Sequence, residues 1–351
     1  MGQIGKAVPS TATAREFQRI FAGCALLILT AGFEERARRL QTMLKRVRLG
    51  RVLLVHYPPG IEGNDDALRD MQSDLESRAD ECVTVLLDAR RPDNFIADVK
   101  RALARWRPDI SGEIWLDVTP LPMQGICSAL AAIRESLPNV PLRVIYTEAG
   151  EYNPTRREVV AHELDDETVE AASPPALSTE MSGNLIPKHF AGASSEVGTC
   201  LFLFAGYEKH RSLGVVDELN PSKLVLIYGR PERDELQWRL KWSRRLHSSL
   251  PATRPTSVET VSTLNPWESL TILSRYYGYL FSDHNVAVAP VCSKMQCVAA
   301  YLFWERHRDA QLVFPLPVTY LPHNFSKGHR DTFHFLLPDA RSATPLFAMP
   351  T

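Results

Sequence analysis

The chain repeats itself once. Ala31-Gly32-Phe33-Glu34 recurs as Ala205-Gly206-Tyr207-Glu208, and Met123-Gln124 recurs as Met295-Gln296. Between these landmarks, Val52-Leu53-Leu54-Val55-His56-Tyr57 answers to Lys223-Leu224-Val225-Leu226-Ile227-Tyr228. The offsets are 174, 172 and 171 residues. Three landmarks in one order at a nearly constant offset predict two copies of one fold, and the period is far too long for a solenoid. Each copy would hold about 130 residues, the size of an ordinary domain, and a chain of 351 residues is long enough to give each its own core.

Strands are expected near 24–30, 51–57, 83–88, 113–118 and 142–147, and again near 200–205, 222–228, 258–263, 285–290 and 311–315. Each is a nearly continuous apolar run, the pattern of a strand covered on both faces of a parallel sheet. Amphipathic stretches predict helices near 33–47, 63–78, 93–106 and 122–136, then 208–219, 232–248, 266–280 and 294–307. This alternation predicts an α/β fold: two tandem Rossmann-like, doubly wound parallel-sheet domains related by the internal repeat. The expected boundaries are a flexible N-terminus over 1–19, a first domain over 20–150, a linker over 151–198 and a second domain with a C-terminal extension over 199–351. The tail beyond 316, rich in proline, histidine and aromatics, is expected to pack back on a core.

Composition removes several function classes. Forty basic and 41 acidic side chains leave a net charge of −1, so bulk attraction to nucleic acid or a membrane has no basis. The apolar run from Phe21 to Thr30 is too short to span a bilayer and reads as a buried strand. None of the six cysteines forms a C-x-x-C pair, which argues against a zinc site and for a reduced, cytoplasmic compartment. Phosphate-loop, dinucleotide, nucleophile-elbow and zinc-protease motifs are all missing, so no cofactor is implied and an enzyme is the less favoured reading.

Ligands of open α/β sheets bind at the carboxyl ends of strands, where the strand order reverses. The first loop expected there carries Gly32, Phe33, Glu34 and Arg36 in one half, and Gly206, Tyr207, Glu208 and Arg211 in the other. Gly32 and Gly206 would let a ligand approach the backbone or would serve turn geometry alone. Glu34 and Glu208 either meet a ligand or complement a helix dipole. Arg36 and Arg211 either grip an anion bidentately or stay solvated. The second loop carries Asp117 and Thr119 in the first half and Ser293 and Lys294 in the second. Asp117, Thr119 and Ser293 could be helix caps as readily as ligand contacts. Lys294, a cation at a helix N-terminus, is electrostatically misplaced unless an anion is near. Gln124 and Gln296 match across the repeat, as ligand contacts or as exposed helix residues.

In these loops the chain resembles the CRISPR-associated Rossmann-fold sensor domains, called CARF, whose second motif follows the fourth strand and reads D/N-x-T-G-G-T-K. Asp117-Val118-Thr119-Pro120-Leu121-Pro122-Met123 is similar to it in the first half, and Pro290-Val291-Cys292-Ser293-Lys294-Met295 in the second, with the lysine kept. Pro120-Leu121 and Cys292-Ser293 stand where that family has paired glycines. The resemblance implies a sensor or regulatory protein of a prokaryotic antiviral defence system. It would bind a nucleotide or cyclic-oligonucleotide ligand in the cleft between two halves and control a separate effector protein, since both halves and the linker occupy nearly the whole chain. Monomer and homodimer both remain open. Two rivals stand beside it. One is a non-catalytic interaction subunit using Trp238, Trp242, Tyr276 and Tyr277, aromatics that could equally be core. The other is a nucleotide-degrading enzyme resembling a ring nuclease.

Overall fold

A computed structural model describes residues 9–107, 110–165, 177–250 and 256–338. The chain divides into two compact units, Met1–Gly150 with Lys327–Thr351, and Glu151–Ser326. The first stretch of unit 1 contains β1 (Ser10–Thr11), α1 (Ala14–Phe21), β2 (Cys24–Thr30), α2 (Arg39–Met43), β3 (Leu49–His56) and α3 (Asn64–Arg78). It continues through β4 (Ala79–Leu86), α4 (Pro92–Trp106), β5 (Glu113–Asp117), α5 (Met123–Ser136) and β6 (Leu142–Thr147). Next come β7 (Glu151–Tyr152), α6 (Arg156–Asp165), β8 (Met181–Leu185), β9 (Thr199–Ala205), α7 (Lys209–Leu219), β10 (Lys223–Arg230) and α8 (Trp238–Leu246). Unit 2 goes on with β11 (Thr256–Ser262), α9 (Pro266–Leu280), β12 (Asn285–Pro290), α10 (Lys294–Arg306), β13 (Gln311–Leu312) and β14 (Phe314–Pro317). β15 (Ser326–Lys327) and β16 (Thr332–Leu336) close the described chain.

Both units are α/β with parallel sheets. In unit 1 the order is β1-β16-β6-β5-β2-β3-β4, and the five strands from β6 to β4 are parallel. In unit 2 the order is β11-β10-β9-β12-β13, parallel throughout. The apolar runs explain this: Leu26 to Leu29 in β2 and Cys200 to Phe204 in β9 are all essentially inaccessible to water, as strands covered on both faces must be. Proline opens α4 at Pro92 and α9 at Pro266, the first-turn place where its missing N–H costs nothing. In unit 1, Phe17 and Phe21 of α1 meet Trp115 of β5 edge-on, with ring centroids 5.8 and 5.2 Å apart.

Four expectations need redrawing. Of the N-terminal stretch, 1–8 lie outside the described residues, but the rest is built structure. Thr13 and Glu16 form a capping box at the head of α1, and Phe17 is fully buried. The stretch 151–198 is more than a linker: β8 pairs antiparallel with β14, and α6 precedes it, while 166–176 lie outside the described residues. Residues 332–336 do not stay with unit 2, because β16 runs antiparallel to β6 and joins the sheet of unit 1. Finally, the helices expected over 33–47 and 232–248 are each broken. A 3-10 turn at Glu35–Arg38 precedes the five-residue α2, and another at Asp234–Leu236 precedes α8. In the first, Arg36 folds back on Glu34 across the turn instead of extending from a regular helix surface. In the second, the Gln237 side-chain amide donates to the Pro231 carbonyl.

Candidate functional site

The strand order places the predicted loops. In unit 1 the chain steps outward from β2 to β3 and β4, then crosses to β5 and β6 on the other side. The turns after β2 and β5 therefore flank the switch point, and those after β9 and β12 do so in unit 2. Ile28 pairs with Leu116 in the first sheet, and Phe202 pairs with Val288 in the second.

In unit 1 the two turns lock onto one another. A Cβ on Gly32 would sit 2.9 Å from the Pro120 Cβ, so glycine is there for close approach of the loops. Phe33 lies against Gly63, which has φ +83° and whose Cβ would come within 3.1 Å of the Phe33 Cβ. Arg36 donates through Nε and Nη2 to both oxygens of Glu34, each at 3.1 Å, and through Nη1 to the Thr147 carbonyl at 3.3 Å. The pair is 7% and 10% exposed, a buried, charge-balanced fork. Asp117 accepts from the Thr119 N–H at 2.9 Å, and Thr119 Oγ1 in turn accepts from the Thr147 N–H at 2.9 Å. Tyr57 closes the second turn by donating to the Pro120 carbonyl at 2.8 Å. Gln124 is not the exposed helix residue it could have been: it is 3% exposed, and its Nε2 has no hydrogen-bond partner.

Unit 2 has the same parts in a different balance. A Cβ on Gly206 would overlap the Val291 carbonyl oxygen, again a close approach of the two loops. Glu208 is buried and accepts from the Leu177 N–H, the Ser178 N–H and the Ser178 hydroxyl at 3.0, 2.9 and 2.8 Å. Arg211 adds a 3.3 Å bond to the other Glu208 oxygen and a 3.1 Å bond to the Pro315 carbonyl. Ser293 is the N-cap of α10. It accepts from the Gln296 N–H at 3.2 Å, its own N–H donates to Gln296 Oε1 at 3.0 Å, and its hydroxyl donates to the Thr263 carbonyl at 2.8 Å. Lys294 is the first residue of α10 and half-buried. Gln296 is fully buried, and its Nε2 has no hydrogen-bond partner. That nitrogen would be 3.4 Å from a Cβ built on Gly229, and Cys292 Sγ 2.8 Å from it.

Sequence reasoning missed Arg239. This α8 residue donates to the carbonyls of Tyr152, Asn153 and Pro154 at 3.3, 3.3 and 3.0 Å. Its guanidinium lies 5.8, 5.4 and 5.2 Å from the ring centroids of Tyr152, Tyr207 and Trp238. Burial lowers its pKa, and burial raises that of the Tyr207 hydroxyl, which has no hydrogen-bond partner. Cys292, an electrostatic neighbour of Arg239, has its thiol pushed up to about 12 by burial and is therefore neutral. The one signal was Trp238-Arg239-Leu240-Lys241-Trp242-Ser243-Arg244-Arg245, a mix of tryptophan and basic residues. Trp242 packs with Val159 and Leu246 in a small core, and Tyr276 and Tyr277 donate to Glu259 and Asp309 at 2.8 and 2.7 Å.

A cleft of about 320 Å³ lies at the other end of the first sheet, among Cys24, Gly50, Asp80 and Glu81 at the amino ends of β2, β3 and β4. Its acids are engaged: Asp80 pairs with Arg48 at 2.7 Å, and Glu81 accepts from the Trp106 indole at 2.8 Å. Among the described residues, no group of three or more His, Cys, Asp or Glu side chains is placed to hold a metal ion, and no helix is long and apolar enough to cross a membrane.

The sequence matches no protein-family model and no curated protein. Among solved structures, the chain is similar to Can2 from Sulfobacillus thermosulfidooxidans in complex with cyclic tetra-adenylate, at 13% identity over 37% of this chain and 36% of that one, with a TM-score of 0.27. It is similar to a type III CRISPR defence DNA nuclease activated by cyclic oligoadenylate, at 11% identity over 82% of this chain and 64% of that one, with a TM-score of 0.46. A third similar structure is a functionally unknown protein from Pseudomonas aeruginosa, at 11% identity over 86% of this chain and 95% of that one, with a TM-score of 0.24. The chain thus spans 36% and 64% of the lengths of the first two, and none of these likenesses assigns a role to any residue here.

Proposed function

We propose that this chain is a sensor that binds a nucleotide-type ligand at the carboxyl-end loops of its parallel sheets and so controls a separate effector, in an antiviral defence setting. The observation that carries the reading is the matched pair of glutamines. Gln124 and Gln296 stand in the first turn of the helix after the switch point, each in its own unit, and each buries an Nε2 without a hydrogen-bond partner. Leaving such a donor unmet costs about 1–3 kcal/mol. A ligand offering a carbonyl, ring-nitrogen or phosphate oxygen acceptor would recover that cost. Lys294 at the head of α10 adds a cation where an anion is the natural complement.

The reading treats the units as diverged copies. Their parallel strands share one order, and the pairs Ile28–Leu116 and Phe202–Val288 are displaced by the 174 and 172 residues that separate the sequence landmarks. The descriptions of two similar structures name cyclic oligoadenylate, which sets the ligands to try first. The test is a thermal-shift screen of the full chain against mononucleotides, dinucleotides and cyclic oligonucleotides, repeated with Gln124→Leu and Gln296→Met. A ligand-dependent rise in Tm that the substitutions diminish supports the reading. No rise with any nucleotide sinks it.

A further inference from the structure

Among the described residues, unit 2 holds a cation that faces no carboxylate. Arg36 and Arg211 each face a buried carboxylate, Glu34 and Glu208. Among the described residues, Arg239 faces three carbonyls and three aromatic rings. Neutral acceptors satisfy its hydrogen bonds but leave its charge uncompensated in a partly desolvated place, an arrangement completed by an anion. The nearby acids do not supply one. Glu208 is held by Leu177, Ser178 and Arg211, and Glu158 accepts from the Thr155 N–H and hydroxyl at 2.6 and 2.8 Å.

Two further buried donors of unit 2 have no hydrogen-bond partner. The Tyr207 hydroxyl belongs to the ring under the Arg239 guanidinium, and the Gln296 Nε2 shares the surface of Gly229 with Cys292 Sγ. Cys292 Sγ lies beside Gly229, and its side chain is within electrostatic range of Arg239. Gly229 is bare because a Cβ there would come within 2.7 Å of Thr263 Cγ2. A guanidinium carries five N–H donors, and the three carbonyls use at most three.

We propose that Arg239, Tyr207 and Gln296 form a phosphate-binding site in unit 2, taking the phosphate of a nucleotide or free inorganic phosphate. The proposal rests on the reading of these loops as a nucleotide site and names the chemical group recognised there. The three carbonyl bonds and the surrounding rings hold the guanidinium in place, which is what bidentate recognition of phosphate oxygens requires.

Calorimetric titration of the full chain with inorganic phosphate, adenosine 5′-monophosphate and adenosine, at constant ionic strength in chloride, tests it. The nucleotide is expected to bind at least about tenfold more tightly than the nucleoside. Tyr207→Phe keeps the packed ring, removes only the hydroxyl, and is expected to weaken phosphate-bearing ligands about fivefold. Arg239→Gln is expected to weaken them about a hundredfold, and Arg239→Lys to restore only part of that loss. Should Arg239→Gln fail to fold, Tyr207→Phe carries the test alone. Phosphate binding that responds to these variants while no nucleotide binds more tightly than phosphate supports the site and overturns the nucleotide-sensor reading. Nucleotide binding that is unchanged in Tyr207→Phe and Arg239→Lys overturns the site and leaves the sensor reading intact. Binding of neither overturns both.

Discussion

The switch-point turns of the two units are made of corresponding residues put to different use. In unit 1 Glu34 takes Arg36 in a fork, Asp117 accepts from the Thr119 N–H, Thr119 accepts from the Thr147 N–H at the end of β6, and Tyr57 donates to the Pro120 carbonyl. In unit 2 Glu208 does more structural work than Glu34, gathering three donors from 177 and 178 besides Arg211. Yet among the described residues Arg239 of unit 2 meets carbonyls and aromatic rings and no carboxylate. The contrast teaches that a repeated motif preserves geometry more readily than charge. Close-approach glycines sit in the turns of both units, whereas the guanidinium facing no carboxylate among the described residues lies in unit 2.

The largest effect should come from the buried acids. Glu208→Ala strands several donors and a guanidinium, and should cost about 3–5 kcal/mol in urea unfolding. Glu34→Ala strands Arg36 and should cost about 2–3 kcal/mol. Equal costs would erase the structural half of the comparison. Next come the glycines. Gly206→Ala drives a methyl onto the Val291 carbonyl and should cost about 1–3 kcal/mol, more than Gly32→Ala, whose neighbour is a proline side chain. The reverse order in thermal melts would mean that the unit 2 loops yield more easily than their packing implies.

A smaller effect separates binding from stability. Lys294→Ala should weaken nucleotide binding by about 1.4 kcal/mol while changing stability by no more than about 0.5 kcal/mol. Arg36→Ala should lower stability and leave affinity unchanged, since Glu34 already answers its charge. If Arg36→Ala weakens binding as much as Lys294→Ala does, the electrostatic contrast between the turns of the two units fails. The smallest effect concerns pH. His334 lies on β16, meets Arg143 at 2.8 Å and stacks edge-on against Phe17, with Glu113 and Glu16 as its nearby acids. Burial first, and then the Arg143 charge, lower its pKa below the ordinary 6.5. Between that folded value and 6.5 the unfolded chain binds a proton that the folded chain does not. Stability therefore rises with pH through the window and falls as the medium is acidified below 6.5. The Tm of unit 1 should drop between about pH 7 and pH 5, and His334→Phe should flatten the drop.

Much of the sheet architecture was legible in the sequence because buried parallel strands are written locally. The run from Cys24 to Thr30 is apolar without interruption, and Pro92 and Pro266 mark where their helices begin. The broken helices were not legible, because the breaks come from side chains turning back on their own loops, as with Arg36 and Gln237, and periodicity carries no trace of that. The candidate site was half legible. The turns and the paired glutamines stood out as repeats, but whether a glutamine is buried or exposed depends on what packs over it. Arg239 was hidden for a related reason: its three acceptors lie 85 to 87 positions earlier in the chain. A basic residue among tryptophans on a helix reads as a solvated face until the distant backbone is brought to it.

The return of β16 to the first sheet has a consequence for the order in which the chain can fold as it is made. β6 acquires its antiparallel neighbour only from Thr332–Leu336, after all of Glu151–Ser326 has been synthesised. On a ribosome, unit 2 has its whole sequence in hand before unit 1 does, so the first unit begun is the last to be finished. During that interval the backbone of β6 presents an open edge, the kind of surface on which nascent chains pair wrongly.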